Sequence, residues 1–127
     1  LLLGIHHIHS PVRKQAKPAG EMLSAIDPSN ISIVHIDDAM PLPKDELAGT
    51  KHRVLPGDGV VPISCMLKQI RSSGYQGSYA VELFNEQYWA QDPIWLCQSA
   101  YDKRLHVFYK LIRPVDNFSC GYVYTST

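Results

Sequence analysis

Apolar and polar residues alternate with a period of two through Ile31-Ser-Ile-Val-His-Ile36, which predicts a strand. Ile31, Ile33 and His35 then share one face, and Ser32, Val34 and Ile36 the other. Two further runs read as strands. Leu1 to Ile8 is apolar with polar residues arriving at its end, and continued alternation puts His7 and His9 on one face and Gly4 and His6 on the other. Tyr79, Ala80, Val81, Leu83 and Phe84 make a nearly continuous apolar run, the mark of a strand covered on both faces, interrupted by one carboxylate, Glu82. Between these strands the period changes. Met22, Leu23 and Ile26 fall at helical spacing before Asp27-Pro28, and Ile63, Met66, Leu67 and Ile70 make Pro62 to Ser73 an amphipathic helix closed by Gly74. Asp92 and Pro93 read as the cap and first residue of a last helix, with Ile94, Cys97, Tyr101, Leu105 and Phe108 as its core-facing stripe. Ser10 to Gly20 and Met40 to Lys51 read as connections, and Arg113 to Thr127 has no clear period.

Strand and helix thus alternate three times, which predicts an α/β fold with parallel strands and outer helices. Three strands leave two sheet edges open, and exposed apolar edges predict self-association.

At 127 residues the chain lies in the single-domain range. Twelve basic and twelve acidic side chains cancel, so no electrostatic footprint for nucleic acid or an anionic membrane is expected, and small-molecule chemistry is the better expectation. Leu1-Leu2-Leu3 is followed at once by Gly and histidines, so neither a signal peptide nor a membrane span is expected. Cys65, Cys97 and Cys120 are too few and too widely spaced for a disulfide framework or a CxxC metal site, which fits a reducing, cytoplasmic setting.

Candidate chemistry gathers at the strand ends, where α/β folds bind ligands. A carboxylate in the run holding Glu82 must be paired, hydrogen-bonded or metal-bound, so it is either a site acid or a structural one tied to donors nearby. His35 ends its strand and is either a hydrogen-bonded structural residue or a ligand. Arg53 either clamps a substrate oxygen or ion-pairs at the surface. Pro56-Gly57 and Asp58-Gly59 mark tight turns, and no GxGxxG or Walker pattern makes them a phosphate cradle.

His35-Ile-Asp-Asp-Ala39, Arg53-Val-Leu-Pro-Gly-Asp-Gly59, Val81-Glu-Leu-Phe-Asn85 and Tyr88-Trp-Ala-Gln-Asp-Pro93, in that order, resemble the sugar phosphate isomerase/epimerase family. Its fold is the xylose-isomerase-like TIM barrel. The resemblance covers Ile31 to Phe108 well and Leu1 to Asn30 loosely, and implies that residues 1–110 are the C-terminal portion of such a barrel, about three of its eight βα units. Residues 111–127 lie outside the resemblance and are expected to form an irregular tail. The resemblance further implies a divalent metal (Mn, Mg, Co or Zn) held by Glu, Asp, His and Glu from four successive late strands. His35 matches the histidine ligand, and Glu82 matches the last glutamate, which also moves a proton. His7 matches a histidine three positions after the aspartate, where this chain has Gly4, and the first glutamate has no counterpart here. Arg53 resembles an arginine near the substrate pocket, and Trp89 the aromatic wall beside it. The implied reaction is proton transfer next to the carbonyl of a sugar or polyol ketone through an enediolate, with Glu82 and His7 as catalytic groups. A dehydratase of the inosose or dehydroshikimate type shares the first step. Gly4 and the missing glutamate point instead to a non-catalytic fragment or interaction module.

Overall fold

Val34 and Ile36 have no exposed surface, while Ile33 and His35 between them are half-buried. Within Ile33–Ile36 the period-two pattern therefore sorts the two faces as expected, one against helices and one toward a more open side, whereas Ile31 is buried and Ser32 exposed before the strand begins. The computed structural model describes residues 1–9, 19–43, 46–47 and 51–112. The tail beyond Ile112 and most of the basic connection lie outside them. Three parallel strands form the sheet: β1 (Leu2–Gly4), β2 (Ile33–Ile36) and β5 (Ser78–Val81), in the order β1-β2-β5. A second, two-stranded antiparallel ribbon pairs β3 (Asp38–Ala39) with β4 (Arg53–Val54). Helices α1 (Ile5–His9), α2 (Ala19–Ser24), α3 (Ile63–Ser72), α4 (Glu86–Trp89) and α5 (Pro93–Ile112) complete the order. This is the α/β arrangement of a partial TIM barrel, with α2, α3 and α5 packed side by side outside the sheet.

The core lies between the sheet and these helices. Ile63, Met66, Leu67 and Ile70 of α3 are all buried, as their spacing predicts, and join Leu3, Leu23, Val34, Ile36 and Val107 in one cluster. Burying each such side chain contributes about 1.5–3 kcal/mol. Gly74, with φ of 102°, adopts the left-handed turn that ends α3 at low steric cost. Asp92 caps α5 as expected, its side chain accepting from the Trp95 N–H at 2.8 Å.

Four expectations are corrected. The first strand ends at Gly4, and Ile5–His9 is one short helix, so His7 and His9 do not line up as on a strand. The strand preceding Glu82 is not covered on both faces: Tyr79 to Leu83 are half-buried and Phe84 is exposed, because a three-strand sheet leaves its inner side open. Most of the stripe assigned to α5 points outward: Ile94, Cys97, Tyr101 and Leu105 are exposed, while Phe108 packs half-buried against the core that Val107 enters. Period alone cannot say which of two apolar faces a helix buries, and Tyr101 and Leu105 lie on the other one. Cys65, on α3, is disulfide-bonded rather than a reduced thiol, whereas Cys97 is free. Among the described residues no helix is long and apolar enough to cross a membrane.

Candidate functional site

Strand register places the first members of the site. Gly4, His35 and Ala80 lie side by side across the sheet, at the end of β1 and one residue before the ends of β2 and β5. Glu82 follows β5 directly and prolongs the ladder, its N–H donating to the Ile36 carbonyl at 3.3 Å. Parallel pairing thus carries His35 and Glu82 to the same rim although 47 positions separate them in the chain, from 35 to 82. His35 Nδ1 is 3.1 Å from Glu82 Oε1. The two atoms are close but not aligned as a hydrogen bond, since Nδ1 is buried without an aligned partner.

The other oxygen of Glu82 belongs to Arg53, whose Nη1 donates to Oε2 at 2.6 Å. Arg53 is 5 % exposed, so the surface ion pair expected as one reading is corrected: the pairs it makes are buried. Its Nε lies 3.2 Å from Asp37 Oδ2, and the Phe84 ring lies 5.1 Å from its Cζ. Asn85, buried, donates to the Arg53 carbonyl at 2.8 Å while its own side-chain oxygen caps α4 by accepting from Gln87. One residue thereby ties the Arg53 backbone to the helix that carries Trp89.

Behind Arg53 the site becomes dry. Asp37 is 1 % exposed and faces His6 Nδ1 at 3.7 Å. Burial pushes the Asp37 carboxyl up to about 7 despite the opposing charge of Arg53. Burial also lowers His6 to about 4, helped by the charge of Arg53, so its neutral form is favoured at neutral pH. Burial would raise Glu82 as well, but the Arg53 hydrogen bond and the charges of His35 and Arg53 outweigh it and hold the carboxyl below its ordinary value. Glu82 is therefore ionised at neutral pH, with one oxygen engaged and one turned toward His35. Eight buried side-chain atoms among the described residues lack an aligned hydrogen bond, and five of them belong to His6, His35, Asp37 and Arg53. Such a concentration in one place is what a ligand site shows.

His7 and Trp89 stand apart from this cluster. His7 is exposed, its ring set edge-on to His6 at 5.9 Å. A side chain at Gly4 would press on that ring, a Cβ coming within 2.8 Å of His7 Cδ2, so His7 covers the very position where the resemblance expects an aspartate. Trp89 is 56 % exposed, packed edge-on against Phe84 at 6.1 Å and held by its indole N–H on the Leu83 carbonyl at 3.1 Å. Asp37, His6, Phe84 and Asn85 were not singled out from sequence. The acidic pair at the end of β2 was the available signal for Asp37, but its partner Arg53 is 16 positions away, from 37 to 53.

Two donors to one ion at about 2.0–2.2 Å lie roughly 3–3.5 Å apart, so the His35 and Glu82 atoms fit a shared cation. The rest of the set does not. Gly4 offers no donor, and among the described residues no group of three His, Cys, Asp or Glu side chains could hold a metal. The four-ligand metal site implied by the resemblance is not complete in these residues.

No protein-family model matches the chain. It is 33 % identical over 88 residues to the inosose isomerase of Halalkalibacterium halodurans, covering 69 % of this chain and 31 % of that protein. Among solved structures it is similar to the IolI protein with a bound zinc atom, at TM-score 0.76 and 28 % identity, over 87 % of this chain and 38 % of that one. A xylose isomerase domain-containing protein from Salmonella typhimurium LT2 shares the fold at TM-score 0.64 and 23 % identity, over 88 % of this chain and 39 % of that one. The chain spans about a third of the length of the curated relative it matches.

Proposed function

Because the chain is part of a xylose-isomerase-like TIM barrel, we propose that it carries the proton-transfer rim of a sugar or polyol ketone isomerase. The observation that carries this reading is the Glu82 carboxylate, held ionised by Arg53 at 2.6 Å on one oxygen and facing His35 at 3.1 Å with the other. A carboxylate with one oxygen engaged and one available is suited to take a proton from the carbon beside a carbonyl. His35 stands where it offsets charge growing on the substrate oxygen, and Arg53 keeps Glu82 oriented. Trp89 and Phe84 offer an apolar wall against which the C–H face of a polyol packs. His7, placed over Gly4, is the further candidate for orienting a substrate hydroxyl. The described residues supply two metal donors and no third, so no step is assigned to a metal here. Inosose is the substrate class to test first, given the relative of that name.

The test is solvent exchange. In D2O, a polyol ketone such as inosose incubated with the protein is expected to gain deuterium at the carbon next to its carbonyl, followed by proton NMR. Glu82→Gln, which keeps the shape and removes the base, is expected to slow that exchange about 100- to 10,000-fold. Exchange at the buffer rate with folded wild-type protein would reject the reading.

Gly4 favours a second reading, in which this stretch is an interaction module without turnover, joining other chains through its open sheet. Leu1 and Leu2 at the β1 end are 61 % and 52 % exposed, and Ile94 and Tyr101 of α5 are 75 % and 55 % exposed. Self-association is then expected in light scattering at micromolar concentration, and a clean monomer there would count against it.

A further inference from the structure

Asp37 and Asp38 are neighbours, equally buried at 1 % exposure, yet they are bound in opposite ways. The Asp38 carboxylate accepts from four backbone N–H groups, those of Ala39, Gly57, Gly59 and Val61, and so holds the loop after β4 in place. Asp37 has no aligned hydrogen bond to either oxygen. The groups that approach it are Arg53 Nε at 3.2 Å, His6 Nδ1 at 3.7 Å and the His6 backbone N–H. A buried carboxylate without a well-aligned donor is costly to keep, so its presence calls for a reason other than holding the chain. That reason lies at the far side of Arg53. The guanidinium is planar and rigid, so fixing Nε also fixes where Nη1 stands, and Nη1 holds Glu82 Oε2 at 2.6 Å. The Phe84 ring covers the same guanidinium.

We propose that Asp37 is a positioning residue for Glu82, acting through Arg53: the buried carboxylate anchors the cation, and the anchored cation aims the rim carboxylate at His35. The proposal rests on Glu82 being the proton-transferring group, but its geometry is testable without turnover. With Asp37 neutralised, Arg53 keeps an ion pair only at the wetter rim, where cation and carboxylate can swing out together.

The experiment is NMR on the whole 127-residue chain, reading the Arg53 Nε–H exchange rate and the Glu82 side-chain carboxyl carbon. In the wild type, the Arg53 Nε–H is expected to exchange at least about tenfold more slowly than that of exposed Arg71. Asp37→Asn is expected to bring Arg53 to the Arg71 rate and to shift the Glu82 carboxyl carbon. A purely structural role would leave that carbon unmoved in folded protein. An unchanged Glu82 signal with Arg53 still protected overturns the proposal. Should the Asn variant fail to fold, Glu82→Gln decides: Arg53 Nε–H stays protected if Asp37 anchors it, and reaches the Arg71 rate if Glu82 was the anchor, which overturns the proposal. Deuterium exchange into inosose separates the two claims. Its absence beside a transmitted NMR shift defeats the isomerase reading alone, and its presence beside an unmoved Glu82 carbon defeats the positioning alone.

Discussion

Asp38→Ala is expected to lower the midpoint of thermal unfolding by about 10–20 °C, the drop that a loss of about 3–5 kcal/mol produces in a chain of this size. The side chain accepts from Ala39 N at 2.9 Å and Val61 N at 2.8 Å through one oxygen, and from Gly57 N at 2.9 Å and Gly59 N at 3.0 Å through the other. Alanine strands four donors at once, and each buried N–H without a partner costs about 1–3 kcal/mol, less where water can reach it. No other side chain can take over, because the loop is closed tightly around the carboxylate. Gly57 has φ of 89°, and a Cβ at Gly59 would overlap the Ala39 carbonyl oxygen. Asp38→Asn is expected to lose about half as much, since its oxygen still accepts while its amide turns donors toward donors. Calorimetric or circular-dichroism melts check both. A shift of less than about 3 °C for the alanine variant would mean that the loop holds itself.

Arg53→Met is expected to be comparably severe and to depend on pH in a way that Asp38→Ala does not. Methionine roughly preserves the buried volume, so the loss is electrostatic: Asp37 is left without its counter-charge and Glu82 without its hydrogen bond. Breaking a buried pair from one side costs about 3–5 kcal/mol, most of it at Asp37, because half-buried Glu82 can turn to water. The sign follows from the raised Asp37 carboxyl. Its folded pKa of about 7 lies above the ordinary value of 3.8, so between those values the folded state holds a proton that the unfolded state has released. Stability from this group therefore falls as pH rises from about 4 to about 7, and removing Arg53 carries that fall further upward. The variant should thus be closest to wild type near pH 5 and furthest from it near pH 8. Melts at those two pH values test this, and an equal deficit at both would show that the Arg53 contribution is packing rather than charge.

These two residues also show how the loop and the site are one structure. Asp38 pins the turn after β4, β4 pairs with β3 next to Asp37, and Asn85 holds the Arg53 carbonyl from the other side. A substitution in the loop is therefore expected to be felt at Glu82. The part of the rim built by local geometry alone is small, confined to the caps of α4 and α5.

What the sequence by itself determined is what depends on neighbours in the chain. The alternation in Ile31 to Ile36, the spacing of Ile63, Met66, Leu67 and Ile70, and the Asp92-Pro93 cap each set an element correctly, because period and capping act over a few residues. The same reading drew attention to His35 and Glu82 as polar groups at strand ends. It erred at Ile5–His9 and on the outer face of α5, where either of two local conformations or faces suited the residues and packing made the choice. Only the tertiary structure decided that Arg53 is buried between two carboxylates, that Asp37 and His6 stand behind it, and that His7 stays outside. Those relations join side chains 16 to 47 positions apart, from 37 to 53 and from 35 to 82. Parallel pairing and the closure of a loop bring them together, and no local pattern encodes a contact that exists only once separate strands lie side by side.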